Sequence, residues 1–181
     1  TFYYSSLEND KSGINTSTYR LLPTTTEGMW IASENGLHRY DYAKQLFGEL
    51  DFTAFNPAFK KAFPLTLLCI PRSFNGADST YWFTVPYVGN YVYSANTNKL
   101  ANMPPLLSKY LQAEVYSSFI DAEGIYWVGT DKYGLIAYDI AKDKMLLPEK
   151  GFFSSDRQWV TGFFENAKKQ LWLATTIGLY F

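Results

Sequence analysis

Short runs in which apolar and polar residues alternate occupy most of the chain, and turn-forming residues separate these runs. Alternation with a period of two is typical of strands that bury one face, whereas an amphipathic helix repeats every three to four residues. The alternation is clear at 115–120 and at 160–164, and in the segments around four of the five tryptophans. The pattern therefore predicts an all-β protein.

Four tryptophans mark an internal repeat. Trp30, Trp82, Trp127 and Trp172 are separated by 52, 45 and 45 residues, close to the period of about 40 to 50 residues that is typical of four-stranded propeller blades. Around Trp30, Trp127 and Trp172 the sequence itself repeats, as a turn and an apolar strand that ends in a small or hydroxyl residue, and only Trp159 falls outside the spacing. The repeat predicts a β-propeller fragment of about four blades, each a four-stranded antiparallel sheet.

A second turn follows each tryptophan strand at a similar distance. Gly36, Gly134 and Gly178 each precede a leucine in this turn, while the second repeat is more degenerate and has Gly89 before an asparagine. A tight hairpin favours glycine because the turn needs positive φ at low steric cost. We therefore expect these glycines to be structural.

The repeat also predicts the domain organisation. Both ends of the chain fall inside a repeat, so we expect a partial propeller whose other blades lie outside these residues. Such a fragment should depend on those blades or on intermolecular pairing, because a propeller protects its strand edges by circular closure. The predicted units are 1–14 (the end of a preceding blade), 15–50, 51–104, 105–149 and an incomplete unit at 150–181.

Two short stretches interrupt the strand pattern. Residues 57–63 and 106–112 each carry apolar residues at helical spacing over one or two turns. We interpret them as connectors between blades that bury a few apolar side chains, in preference to membrane anchors.

Composition and charge narrow the possible partners. The chain has 16 lysines and arginines against 17 acidic residues, a net charge of -1, so no strong field attracts nucleic acid or an anionic membrane. No apolar run approaches the roughly 18 residues of a membrane span. Aromatic residues form 19% of the chain, which favours strands. The single cysteine, Cys69, lies in an apolar run, where we expect it to be buried.

The sequence contains no recognisable catalytic or metal centre. His38 is the only histidine and follows a repeat glycine and leucine, so we interpret it as a strand residue and not as a general base. One histidine and one cysteine cannot form a zinc site. Four acids could bind calcium but are more typical of turns: Asp121, Glu123, Asp131 and Asp139. We expect no catalytic residue and no cofactor.

Residues 121–139 give the fullest version of the repeat: an acidic turn, a glycine, Trp127 in an apolar strand, then Gly-Leu and a tyrosine-aspartate ending. This string resembles the two-component regulator propeller repeat. The resemblance implies seven-bladed propellers in the periplasmic sensor region of hybrid histidine kinases that regulate polysaccharide use in gut Bacteroidetes. It implies a periplasmic, ligand-sensing module of a receptor that signals across the membrane as a homodimer.

An oligosaccharide ligand needs aromatic ring faces and planar polar groups. Residues that break the repeat are the better candidates, because a residue that recurs in every blade is more simply explained by packing between blades. The candidate ligand-binding residues are Arg72, Asn75, Asp78, Tyr87, Asn90, Arg157 and Trp159.

Two other functions stay open at this point. The propeller could be a structural or dimerisation module without a small-molecule ligand, which exposed apolar patches would favour. It could also be a lyase or glycoside hydrolase, which would require two carboxyl groups at a catalytic separation. The enzyme is the weaker alternative, because no pair of acids stands out.

Overall fold

The computed structural model describes most of the chain, with gaps between the described segments. The chain divides into two compact units: Thr1–Thr66 with Val85–Val88, and Leu67–Thr84 with Gly89–Phe181. The described residues are 18–23, 28–33, 36–49, 67–69, 80–85, 89–94, 97, 99–112, 115–146 and 158–181.

Sheet I, in the first unit, is a four-stranded antiparallel meander. Asp41 organises its last turn, because the carboxylate accepts hydrogen bonds from the backbone N–H groups of Ala43 and Lys44, each at 3.0 Å. In sequence order, which is also spatial order, its strands are β1 (Thr18–Pro23), β2 (Gly28–Ser33), β3 (Gly36–Asp41) and β4 (Leu46–Glu49).

Sheets II and III repeat the meander of four strands. Sheet II contains β5 (Leu67–Cys69), β6 (Thr80–Val85), β7 (Gly89–Ser94) and β8 (Lys99–Asn102). Sheet III contains β9 (Val115–Ile120), β10 (Ile125–Thr130), β11 (Gly134–Asp139) and β12 (Lys144–Met145).

Sheet IV has three strands, β13 (Val160–Glu165), β14 (Leu171–Thr175) and β15 (Gly178–Tyr180). The all-β prediction is confirmed, and so is the antiparallel four-stranded sheet as the repeating element. The total number of blades and the boundaries of the repeats stay predictions.

The connector between sheets II and III is helical, as the sequence predicts. Helix α1 (Pro105–Ser108) is followed by one turn of 3-10 helix at Tyr110–Gln112. Leu107 and Leu111 are buried, so the connector contributes apolar side chains to the core. The second predicted helical stretch, 57–63, lies outside the described residues. No helix in the described part of the chain is long and apolar enough to cross a membrane.

The main core lies between sheets II and III. Trp82 from sheet II packs against Tyr126 and Tyr138 from sheet III, with ring centroids 5.3 and 6.2 Å apart. Each of these side chains is at most 6% exposed. Burial of aromatic side chains of this size contributes a large share of the apolar free energy of folding. The remaining core residues are Met103, Leu107, Leu111, Ile120, Val128 and Ile136.

A smaller core joins sheet III to sheet IV. Leu135 from sheet III packs with Val160 and Leu173 from sheet IV. The backbones approach closely here, since a Cβ on Gly129 would lie 2.3 Å from the Val160 carbonyl oxygen. The Ser117 hydroxyl donates a hydrogen bond of 2.5 Å to that same oxygen. Glycine at 129 and serine at 117 therefore hold the first strand of sheet IV against sheet III.

Candidate functional site

One edge of the second unit gathers aromatic and polar side chains. We call it the hairpin rim, and define it as the β10–β11 turn (131–133), the β14–β15 turn (176–177), the starts of β7, β9 and β13, and the helical connector 105–112. Antiparallel meanders place alternate turns at the same edge of a sheet, and the contacts below link these segments.

A β-bulge aims one ring at this rim. Strand β9 pairs Val115 with Thr130 and Ser117 with Gly129, so the register shifts by one residue at Tyr116. Bulges re-aim a side chain and are over-represented beside functional sites. β1 and β13 have a register shift at the same place, so the bulge belongs to the repeat. Sheet I has a tyrosine at the same position, Tyr19, whereas β13 has Thr161 there.

Tyr116 stacks on Trp159, one of the candidate residues from the sequence. The two ring centroids are 4.8 Å apart with an interplanar angle of 20°, and both side chains are half-buried. Two hydrogen bonds fix the backbone of Trp159. Its backbone N–H donates to the Thr176 hydroxyl at 3.2 Å, and the Thr176 backbone N–H donates to the Trp159 carbonyl at 3.1 Å. The stacked pair is therefore an anchored aromatic surface between sheets III and IV.

A second aromatic pair lies at the rim beside the connector. The rings of Tyr110 and Tyr133 meet edge to face, with centroids 5.2 Å apart. The Lys109 ammonium lies 5.9 Å from the Tyr110 centroid, and that of Lys132 lies 5.2 Å from the Tyr133 centroid. Both distances fall within the range of cation–π attraction, so the two lysines place their ammonium groups beside the aromatic pair.

Asn90, another candidate from the sequence, lies at the start of β7. Its Nδ2 donates a long hydrogen bond of 3.4 Å to the Leu111 carbonyl, next to Tyr110. Its Oδ1 is buried and accepts no hydrogen bond from the described residues. Asn90 therefore adjoins the second aromatic pair. Arg72, Asn75, Asp78, Tyr87 and Arg157 lie outside the described residues, so their roles stay predictions.

Three of the acids considered for calcium, Asp121, Glu123 and Asp139, lie in or beside turns at the opposite edge of sheet III, whereas Asp131 lies in the β10–β11 turn of the hairpin rim. Asp121 Oδ1 accepts hydrogen bonds from the Glu123 and Ile125 N–H groups, each at 2.9 Å, and Oδ2 accepts one from Trp127 Nε1 at 2.7 Å. These bonds occupy both carboxylate oxygens. Among the described residues, no group of three or more histidines, cysteines or acids is arranged to hold a metal ion.

Asp139 begins the β11–β12 turn at this edge and forms an ion pair of 2.8 Å with Lys142. Hydrogen bonds from the Lys142 side chain and backbone lower the pKa of Asp139, and the same contact raises the pKa of Lys142. Nearby, the Tyr138 hydroxyl donates a hydrogen bond to Asp143. Burial, together with Asp143, raises the pKa of Tyr138.

The repeat tryptophans of sheets II, III and IV are not at the hairpin rim. Trp82 is buried between sheets II and III, and Trp127 is half-buried against the core between sheets III and IV. Trp172 is half-buried and stacks on Phe181 at 4.8 Å. The side chain of Trp30 lies outside the described set.

The repeat glycines begin strands, as expected for hairpin turns. Gly36, Gly134 and Gly178 are the first residues of β3, β11 and β15, and Gly134 has a φ of 65°. His38 is 1% exposed in β3, where it pairs with Ile31 and Glu49. This position in a strand core agrees with its interpretation as a strand residue.

The sequence did not single out Tyr110, Tyr116 and Tyr133. Their rings lie within connector, bulge and turn segments, where the repeat period carries no information about contacts. The sequence did offer one signal, namely an aromatic residue at a turn position, because such a side chain cannot be buried on the face of a strand. Tyr133 occupies a turn position that holds Ile177 in sheet IV.

Comparisons with solved structures identify similar folds. The first is the extracellular domain of BT3049 from B. thetaiotaomicron, described as a hybrid two-component system, with a TM-score of 0.56 and 15% identity over 87% of this chain and 19% of that chain. The second is the extracellular domain of BT4673 from the same organism, with a TM-score of 0.62 and 20% identity over 95% of this chain and 21% of that chain. BT4673 is described in one crystal structure as a hybrid two-component system and in another as a one-component system.

These neighbours match the family that the sequence resembles. The likeness is one of fold, since identity is 15 to 20%, and the chain spans about a fifth of the length of the solved domains. No family model matches the chain, and no curated protein sequence matches it.

Proposed function

We propose that this chain is part of the ligand-sensing, extracytoplasmic module of a two-component signalling protein, and that its hairpin rim binds an oligosaccharide. The observation that carries the proposal is the anchored stack of Tyr116 on Trp159. Sugars bind through stacking of their C–H faces on aromatic rings and through hydrogen bonds to polar groups. We assign the module to the periplasm, because the similar solved structures are extracellular domains.

The polar surroundings of the rim support the same ligand class. Thr176, Asn90 and the two lysines supply hydroxyl, amide and ammonium groups next to rings. These groups can pair with sugar hydroxyls and ring oxygens. The site is proposed as a binding site and not a catalytic one, because its described part is built from rings and hydrogen-bonding groups. Signalling across the membrane and homodimerisation of the parent receptor remain predictions.

A thermal-shift panel tests the proposal. Oligosaccharides from plant and host polysaccharides are added to the full chain, because a ligand that binds only the folded state raises its melting temperature. A ligand at about 100 times its Kd stabilises by about 2.7 kcal/mol. We expect one sugar class to raise the melting temperature, and Trp159→Ala to abolish that shift.

Trp172→Ala is the matched control, since Trp172 is also a half-buried tryptophan but lies away from the hairpin rim. This variant should keep the ligand-induced shift. A folded chain that responds to no sugar would favour the alternative of a structural module. A response that survives Trp159→Ala and Tyr116→Ala would place the binding site elsewhere.

A further inference from the structure

The hairpin rim carries two lysines whose ammonium groups lie against tyrosine rings. The Lys109 ammonium is 5.9 Å from the centroid of the Tyr110 ring, and the Lys132 ammonium is 5.2 Å from that of Tyr133. Both lysines are exposed, and both tyrosines are half-buried. Cation–π attraction restricts where each ammonium lies but leaves its N–H donors and its charge for a further partner.

The two lysines reach this site from different segments of the chain. Lys109 follows helix α1 in the connector, and Lys132 lies in the β10–β11 turn. The edge-to-face contact between the Tyr110 and Tyr133 rings, with centroids 5.2 Å apart and an interplanar angle of 76°, joins these segments. Two positive charges from distant parts of the sequence therefore lie beside one aromatic pair.

Two lysines in other turns have a different kind of partner. Lys44 and Lys142 form ion pairs with the aspartates that begin their turns, Asp41 at 3.5 Å and Asp139 at 2.8 Å. A carboxylate neutralises the ammonium that it binds, whereas an uncharged ring does not. The ring-bound lysines of the rim therefore keep a charge that a ligand can use.

The positive charge in the β10–β11 turn is not part of the repeat. The described part of the rim holds Lys109 and Lys132 against one acid, Asp131, which leaves one net positive charge. The equivalent turns of the other three sheets carry no lysine or arginine: residues 34–35, 86–88 and 176–177. A residue that the repeat does not require is a better candidate for binding than one that recurs in every sheet.

The lysine-bearing pair is connected to the stacked rings of Tyr116 and Trp159. Val115, next to Tyr116, pairs with Thr130 across strands β9 and β10. The Thr130 hydroxyl accepts a hydrogen bond from the Tyr133 N–H at 3.0 Å. The two aromatic pairs are therefore joined through β9 and the β10–β11 turn, as a ligand that contacts both pairs requires.

We propose that the ligand of the hairpin rim is an acidic oligosaccharide, in which a uronate carboxylate or a sulfate ester binds the ammonium groups of Lys109 and Lys132. A sugar ring of the same molecule stacks on the surface formed by Tyr116 and Trp159. Ammonium groups bind oxyanions through charge-assisted hydrogen bonds, which are stronger than those to the hydroxyl groups of a neutral sugar. The inference rests on the proposed function and adds the charge of the ligand to it.

Isothermal titration calorimetry on the full chain tests the charge of the ligand. Each uronate oligosaccharide of the panel is compared with its carboxyl-reduced form, and each sulfated one with its desulfated form. We expect the acidic member of a pair to bind about tenfold more tightly than the neutral one. A short polyglutamate peptide carries carboxylates but no sugar ring, and it should bind far more weakly than the acidic sugar.

Substitutions locate the charge that the ligand contacts. Lys109→Gln and Lys132→Gln each remove an ammonium from an exposed position, and each should weaken binding of the acidic sugar by about tenfold. Lys168→Gln makes the same change in the exposed β13–β14 turn and should bind like the wild type. Raising sodium chloride from about 50 to about 500 mM should weaken binding by the wild type more than binding by the double lysine variant.

The outcomes separate this inference from the proposed function. Equal affinity for the acidic and neutral members of a pair would overturn the inference, and so would lysine variants that bind the acidic sugar like the wild type. In both cases the proposed function stands if Trp159→Ala abolishes sugar binding. A polyglutamate affinity equal to that of the acidic sugar would also overturn the inference, because charge alone would explain it. A folded chain that binds neither member of any pair would overturn both.

Discussion

The position of each repeat tryptophan determines what it contributes to the fold. Trp82 is 6% exposed and contacts two buried tyrosines of the next sheet. Trp127 is half-buried but donates a hydrogen bond to Asp121. Trp172 stacks only on the exposed Phe181. The same residue in the same repeat position therefore acts as a core residue, a turn anchor or a surface residue, according to what packs against its sheet.

Trp82→Ala should lower the free energy of unfolding by about 3 to 5 kcal/mol, because it leaves a cavity in the main core. Trp172→Ala removes a ring of the same size from a half-buried position and should cost far less. Chemical denaturation followed by far-UV circular dichroism measures both. Equal losses in the two variants would contradict the assignment of Trp82 to the core between sheets II and III.

Asp139 links the stability of its turn to pH. Its pKa is lowered in the folded chain, so its stabilising effect is present above its unfolded pKa of about 3.9 and is lost as pH falls through the folded value. The stability difference between the wild type and Asp139→Asn should therefore shrink below about pH 4.

Thermal denaturation at a series of pH values measures this difference. Lys142→Met removes the ion-pair partner of Asp139 and should shrink the same pH dependence while leaving the carboxylate in place. A difference between the wild type and Asp139→Asn that stays constant from pH 6 to pH 3 would contradict the role of the ion pair.

At the scale of elements, the contact between sheets III and IV depends on one missing side chain. Gly129 allows the Val160 carbonyl to lie where a Cβ would be 2.3 Å away. The contacting atom belongs to the backbone, which cannot move aside as the end of a flexible side chain can. The two strands therefore leave no space for a side chain at position 129. The corresponding position in sheet IV is Ala174, which is exposed.

Gly129→Ala should destabilise the chain by about 1 to 3 kcal/mol through overpacking. Gly162→Ala adds the same methyl group to open space and is the matched control, with an expected change within about 0.5 kcal/mol. Urea denaturation of both variants measures the difference. Gly129→Ala with wild-type stability would mean that sheets III and IV lie further apart than described.

The accuracy of the sequence prediction differs between elements for a physical reason. Strands β9 and β13 and the connector 105–112 were predictable because burial on one face imposes a period on the residues. The aromatic pairs at the hairpin rim were not, because Tyr116 meets Trp159 and Tyr110 meets Tyr133 across 43 and 23 residues of sequence. No local pattern encodes a contact made by a bulge or a turn with a distant segment.

At the scale of the whole molecule, we expect the exposed face of sheet IV that carries Phe164, Leu179 and Phe181 to control association of the chain in solution. This face holds three of the large apolar side chains that are exposed among the described residues. Exposed apolar patches promote association when nothing covers them. The equivalent face of sheet III is buried against sheet IV. A charged substitution should therefore destabilise the fold in sheet III but not on the exposed face of sheet IV.

Leu179→Lys should leave the melting temperature nearly unchanged and raise the concentration at which the chain stays monomeric. Leu135→Lys, at the equivalent position of sheet III, buries an unpaired ammonium and should unfold the chain or lower its melting temperature strongly. Differential scanning fluorimetry and analytical ultracentrifugation give the two readouts. Similar melting temperatures for the two variants would contradict the difference in burial between the two faces.

Two side chains form hydrogen bonds with main-chain groups across the contact between sheets III and IV. The Ser117 hydroxyl donates to the Val160 carbonyl, and the Glu165 carboxylate accepts from the Ala122 N–H at 3.1 and 3.3 Å. Each bond depends on the identity of one residue only, because every amino acid but proline carries both main-chain groups. After a duplication, the residue at 122 can change without loss of its bond, and the residue at 160 is constrained by its burial and not by its bond to Ser117, so repeats joined in this way can diverge one at a time.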